Sequence, residues 1–133
     1  MTMARKKPTP VGDDAVYTVN LEDGLPLCHE AINRLKHELE AAGERGVGVI
    51  KLIHGYGSSG TGGRLRIAVR RHLDGCRLNG FIADYIEGEH FDIFDARTQK
   101  ALQAYPELAR DRDLQRHNNG ITVVLLNCVK KTR

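Results

Sequence analysis

The sequence predicts an α/β chain of the α+β two-layer sandwich kind, a mixed four-stranded sheet covered by two helices. Three observations lead there. Apolar segments of strand character alternate with helical stripes in the order β-α-β-α-β-β. The second strand segment, Val47 to Ile53 (VGVIKLI), is almost continuously apolar, the mark of a central strand buried on both faces. The chain has 133 residues, enough for one compact domain and too few for two.

Each element has its own signal. Residues 1–14, MTMARKKPTPVGDD, carry Arg5, Lys6 and Lys7 but no apolar stretch, so they read as a disordered basic arm and not as a secretory signal. The domain proper is expected over 15–133. Val16 to Leu21 (VYTVNL) has strand composition and stops at the turn Glu22-Asp23-Gly24. Pro26 suits a helix start, and Cys28, Ala31, Ile32, Leu35, Leu39 and Ala42 then form one apolar stripe that Gly43 ends. After Val47–Ile53 comes HGYGSSGTGG from residue 54, with five glycines in ten positions. A second helix is predicted over about 64–76, with Leu65, Val69, Leu73 and Cys76 inward. Strands follow at Phe81–Ile86 (FIADYI) and Ile121–Leu126 (ITVVLL). Between them lies an insertion, about 87–119, in which Asp95 caps a short helix and Pro106 ends it. Its charged run from Arg110 to Arg116 is expected to be a solvated segment, and the whole insertion to cover a sheet edge or present a partner surface.

Composition narrows the function classes. Hydrophobic residues make up 41% and charged residues 28%, an ordinary globular balance, and no run approaches the roughly 18 apolar residues a membrane helix needs. Cys28, Cys76 and Cys128 are odd in number and widely spaced, which argues against a disulfide framework and for a cytoplasmic location. Net charge is only +3, so the distribution matters more than the total. Between Arg64 and Arg77 there are five arginines and one acid, whereas Glu87 to Asp95 is acidic.

A glycine-rich segment that joins a strand to a helix suits an anion. Helix-start N–H groups lack internal partners, the helix dipole adds positive potential, and glycine lets the backbone approach closely. Arg64 and Arg66 add charge-assisted hydrogen bonds, and Ser58, Ser59 and Thr61 neutral donors. The phosphate loop of nucleotide triphosphatases is excluded, since no Lys-Ser or Lys-Thr pair follows the glycines. Gly55, Gly57 and Gly60 spell the G-x-G-x-x-G of dinucleotide sites, with Asp84 in the next strand as the ribose acid, but the segment is longer than that tight turn.

The segment IHGYGSSGTGGRLR, Ile53 to Arg66, resembles the H-G-x-G-T-G-x-L-R signature of small MutS-related (Smr) domains. The ending Asn119 to Leu125, NGITVVL, resembles that family's closing G-x-T-x-V strand. The resemblance implies a fold similar to the C-terminal domain of translation initiation factor three, with DNA or RNA as partner and, in several members, endonuclease or nicking activity. The residues assigned to binding are His54, Gly55, Gly57 and Gly60, then Thr61, Gly62, Gly63, Arg64 and Arg66, with Arg70 on the same helix face. Where active members carry L-D-x-H-G, this chain reads Val19 to Gly24, VNLEDG. Asn20 replaces the aspartate and Glu22 the histidine. The main expectation is therefore nucleic-acid binding. A second is nuclease activity using His54 with Glu22 or Asp23, which would call for Mg or Mn to shield the carboxylates from an anionic substrate. Otherwise no cofactor or membrane partner is expected. A third expectation is a small nucleotide-binding or protein-interaction module. His54 itself is readable either as an acid–base group or as a ring that fixes the loop by a local hydrogen bond.

Overall fold

The computed structural model describes residues 16–24, 26–55 and 61–126. The basic arm, Gly57, Gly60 and Cys128 lie outside them.

Four strands form one sheet: β1 (Val16–Asn20), β2 (Val49–Ile53), β3 (Ile82–Glu87) and β4 (Ile121–Leu126). The spatial order is β1-β2-β4-β3, with β1 parallel to β2 and β4 antiparallel to both its neighbours. Helices α1 (Cys28–Glu44) and α2 (Thr61–Leu78) cover one face. The predicted stripe on α1 is the buried one: Ala31, Leu35, Leu39 and Ala42 are inside, and Cys28 and Ile32 pack at its margin. They meet Ile50 and Leu52 of β2, Val69 and Leu73 of α2 and Val124 of β4.

Gly43 does not end α1. The helix runs to Glu44, and Gly46, at φ +75°, makes the left-handed turn instead, with Val47 N–H bonding to the Ala42 carbonyl and Gly46 N–H to that of Gly43. α2 closes on the same bond pattern, Phe81 N–H to Cys76 O and Gly80 N–H to Arg77 O, so it extends beyond the expected Cys76.

The insertion departs most from expectation. It covers a whole second face of the sheet, not an edge. Phe91, Ala101 of α3 (Ala96–Ala104) and Leu108 of the 3-10 turn Pro106–Arg110 pack on Val49, Ile86, Ile121 and Val123. Asp95 caps α3 as predicted, accepting from the N–H groups of Arg97 and Thr98. The run from Arg110 to Arg116 is partly buried, for a clear reason. Lys51 of β2 points into this second face at 7% exposure and needs counter-ions, supplied by Asp111 at 3.0 Å and Asp113 at 2.7 Å. Burial raises the Asp113 pKa, but hydrogen bonds from Lys51 and Asn118 outweigh it and hold the carboxyl below its usual range.

β3 forms an edge that is blocked by side chains. The Tyr85 N–H bonds to the Asp84 carboxylate at 2.8 Å and its carbonyl accepts from Arg97 at 3.0 Å, leaving that position little to offer a second strand. No helix among the described residues is long and apolar enough to cross a membrane.

Candidate functional site

The parallel strands β1 and β2 end together. Asn20 lies opposite Ile53, and Leu21 N–H continues the ladder to the Ile53 carbonyl at 2.8 Å. In open α/β sheets this carboxyl end is where ligands collect. β4 begins at the same edge, and the Gly120 carbonyl accepts from both His54 N–H and Gly55 N–H at 3.0 Å. Five residues, 56–60, separate Gly55 from the first turn of α2.

The turn after β1 is built by its own polar groups. Asn20 Oδ1 accepts from Glu22 N–H at 2.9 Å, and Arg34 of α1 donates to the carbonyls of Asp23 at 3.0 Å and Asn20 at 3.4 Å. This brings the Glu22 carboxylate against Gly55, where a Cβ would collide with it; Gly55 also sits at φ +77°. Asp23 is exposed. Of the two acids, only Glu22 is placed beside the His54–Gly55 pair.

His54 is fully buried, and both ring nitrogens are engaged. Nδ1 lies 2.7 Å from the Gly55 carbonyl and Nε2 lies 2.8 Å from Thr122 Oγ1. A carbonyl only accepts, so Nδ1 carries the proton and the bare Nε2 accepts from the Thr122 hydroxyl. Thr122 Oγ1 in turn accepts from Arg70 Nε at 3.1 Å. Burial lowers the His54 pKa; the Gly55 bond opposes this, Arg70 and Arg66 reinforce it, and the result is about 4. The ring is neutral at pH 7 and holds the segment entrance from inside.

Arg70 shares a helix face with Arg66, yet its guanidinium faces inward. Besides Thr122 it grips both Glu89 oxygens at 3.0 Å and the Ile121 carbonyl at 3.1 Å, with 15% of its side chain exposed. Burial raises the Glu89 pKa, but the Arg70 hydrogen bonds outweigh it and leave the carboxyl below its ordinary value. Arg77 is also occupied, by Asp74 at 3.2 Å and Asp84 at 3.1 Å. Arg64 is exposed at the start of α2, and Arg66 is partly buried with its nearest carboxylate oxygen, on Glu89, 3.9 Å away. The Arg66 Nε is buried with no hydrogen-bond partner. Thr61, Gly62 and Gly63 open the helix, and its first turn holds no acid.

Asp84 has a different place from the one a ribose-binding acid needs. It pairs with Leu125, and Leu125 with Val49, at the far end of the sheet from Gly55. The acidic cluster is taken up in ion pairs: Glu87 and Asp95 pair with Arg97, Glu89 with Arg70, and Asp92 lies 3.4 Å from His117. Among the described residues, no three His, Cys, Asp or Glu side chains are grouped to hold a metal ion.

Two participants, Thr122 in the closing G-x-T-x-V likeness and Glu89 in the acidic stretch, were in view in the sequence but not assigned to this site. The signal for Thr122 was one hydroxyl in the apolar run ITVVLL, a position that needs a polar partner once buried. For Glu89 the signal was its place in the acidic stretch Glu87 to Asp95, which does not say which arginine it meets. Neither the family models, nor the curated proteins, nor the solved structures compared with the chain give a match.

Proposed function

We propose that this chain binds nucleic acid by its phosphates, at the edge where β2 passes through the glycine-rich segment into α2. One observation carries the reading. The segment leaves a locked His54–Gly55 corner and enters an 18-residue helix whose first turn lacks acids and carries Arg64, with Arg66 just beyond it. Free N–H groups and positive potential at a helix start favour an anion, and Arg64, exposed, with Arg66, 3.9 Å from Glu89, adds charge-assisted bonds. The likeness of residues 53–66 to the Smr signature supports the same reading. Arg64 and Arg66 are the gripping residues in it, while Arg70 is the strut beneath them. Phosphate contacts position a protein without reading bases, so the expected binding is largely independent of sequence.

Cleavage is the second reading, and the placement of Glu22 beside Gly55 favours it. His54 would have to give up its bond to Thr122 or Gly55 to serve as a base, so Glu22 is the better-placed acid–base group. One gel experiment separates the two readings. Labelled single-stranded, duplex and branched DNA and RNA are mixed with the protein in magnesium, manganese or EDTA, beside Glu22→Gln and Arg64→Ala/Arg66→Ala. Shifted, intact substrate that is lost in the double-arginine variant supports binding alone. Cleavage abolished by Glu22→Gln while the shift persists establishes the nuclease. No shift and no cleavage on any substrate refutes the phosphate reading.

A further inference from the structure

Every ring nitrogen of His54 and every guanidinium nitrogen of Arg70 is used inside the protein, and one hydroxyl joins the two side chains. From Glu89, at the turn after β3, the hydrogen bonds run through Arg70 of α2 to Thr122 of β4, on to His54 at the end of β2, and finish at the Gly55 carbonyl. The direction of each bond is forced. Arg70 only donates, so Thr122 Oγ1 accepts from it and turns its own proton to His54 Nε2; Nδ1–H then faces Gly55. Gly55 is fixed on both sides, its N–H by Gly120 and its carbonyl by His54. The direction in which the chain leaves the sheet is therefore set before the glycine-rich segment begins.

We propose that Thr122 is a positioning residue for the phosphate site, its hydroxyl locking the His54 ring and through it the Gly55 corner from which the segment departs. The role rests on the phosphate-binding reading and adds to it a residue that touches no ligand. A corner held by a buried network fixes the end of β2 before any ligand arrives, so binding does not have to order it. The same hydroxyl anchors Arg70, so one side chain registers the strand end against the helix that carries Arg64 and Arg66. Thr122 is fully buried, which keeps water from substituting for either partner.

The test compares Thr122→Val, which keeps the shape and removes the hydroxyl, with Thr122→Ser, which keeps the hydroxyl. Val124→Ala, a core truncation on the same strand, serves as the stability control. Affinity for a fluorescein-labelled DNA duplex and for its RNA counterpart is measured by anisotropy, and the His54 tautomer by the nitrogen-15 shifts of the ring. Thr122→Val should weaken binding about fivefold, the scale of one lost ordering contact, and should move the nitrogen-15 shift of Nε2 as that atom loses its hydrogen-bond donor. Thr122→Ser should restore both. Val124→Ala should lower Tm and change neither. Wild-type affinity in Thr122→Val, or equal weakening by Thr122→Val and Val124→Ala, overturns the proposal. A wild-type ring protonated on Nε2 overturns it as well, and that measurement holds even if Thr122→Val does not fold. Wild-type protein that binds neither polymer removes the phosphate reading and this role with it, an outcome distinct from a wild type that binds and a Thr122→Val that binds equally well.

Discussion

Acidification sets the burial of His54 against its charge. In the unfolded chain the ring titrates near 6.5; in the fold, burial brings it down to about 4. Between those values the unfolded chain takes up a proton that the folded chain refuses, so stability rises with pH through this window. The contribution is fully present above pH 6.5 and is lost as the pH falls through about 4. At pH 5 the unmatched uptake spans about 1.5 pH units, or about 2 kcal/mol at about 1.4 kcal/mol per unit. That is a large share of the roughly 5–15 kcal/mol that holds a domain folded. The groups acting on the ring are Arg66 and Arg70 of α2, Glu89 after β3 and Thr122 of β4; Glu22 lies against the neighbouring Gly55. The assay is urea unfolding at pH 8, 7, 6 and 5 for wild type and His54→Asn, whose amide still donates to the Gly55 carbonyl. His72, also lowered by its burial and then by Lys36, adds a slope of the same sign that both proteins share. Wild type should lose about 2 kcal/mol more than the variant between pH 8 and pH 5. Parallel curves would refute the account of a buried, neutral ring.

Three further outcomes follow from named contacts. Lys51→Met leaves Asp111 and Asp113 without their cation and should cost about 3 kcal/mol in urea unfolding, with part regained when both acids become asparagine; no recovery contradicts the pairing. Gly55→Ala meets both a left-handed backbone and the Glu22 carboxylate, so it should destabilise by about 2 kcal/mol, and Glu22→Ala should rescue the steric share only. Asp95→Ala removes the cap of α3 and should cost about 1 kcal/mol, with faster amide exchange across Ala96–Ala104 and unchanged exchange in α1.

Much of the fold was legible because its signals are local. The stripe on α1, the continuous apolar run of β2, the extent of β4 and the Asp95 cap all depend on residues within a few positions of one another. The placement of the insertion was not. Around Phe91 and Leu108 there is no period to show which surface they cover, and the counter-ions of Lys51, Asp111 and Asp113, lie 60 and 62 residues away. In the candidate site, helical spacing put Arg66 and Arg70 on one face, and the structure keeps them there. Spacing could not tell which of them would be taken by Glu89 and Thr122. Arg77, the last of the five arginines in the stretch from Arg64, is held by Asp74 and Asp84 for the same reason. His54 was readable two ways, and its burial with both nitrogens bonded favours the structural one.

The central claim is that Arg64 and Arg66 grip phosphates at the strand ends. Its most direct test is the salt dependence of binding to a labelled duplex, for wild type and for Arg64→Ala/Arg66→Ala. Each phosphate contact releases about one counterion, so the double variant should bind more weakly and the slope of log affinity against log salt should fall by about two. Equal affinity and equal slope in the two proteins would contradict the claim.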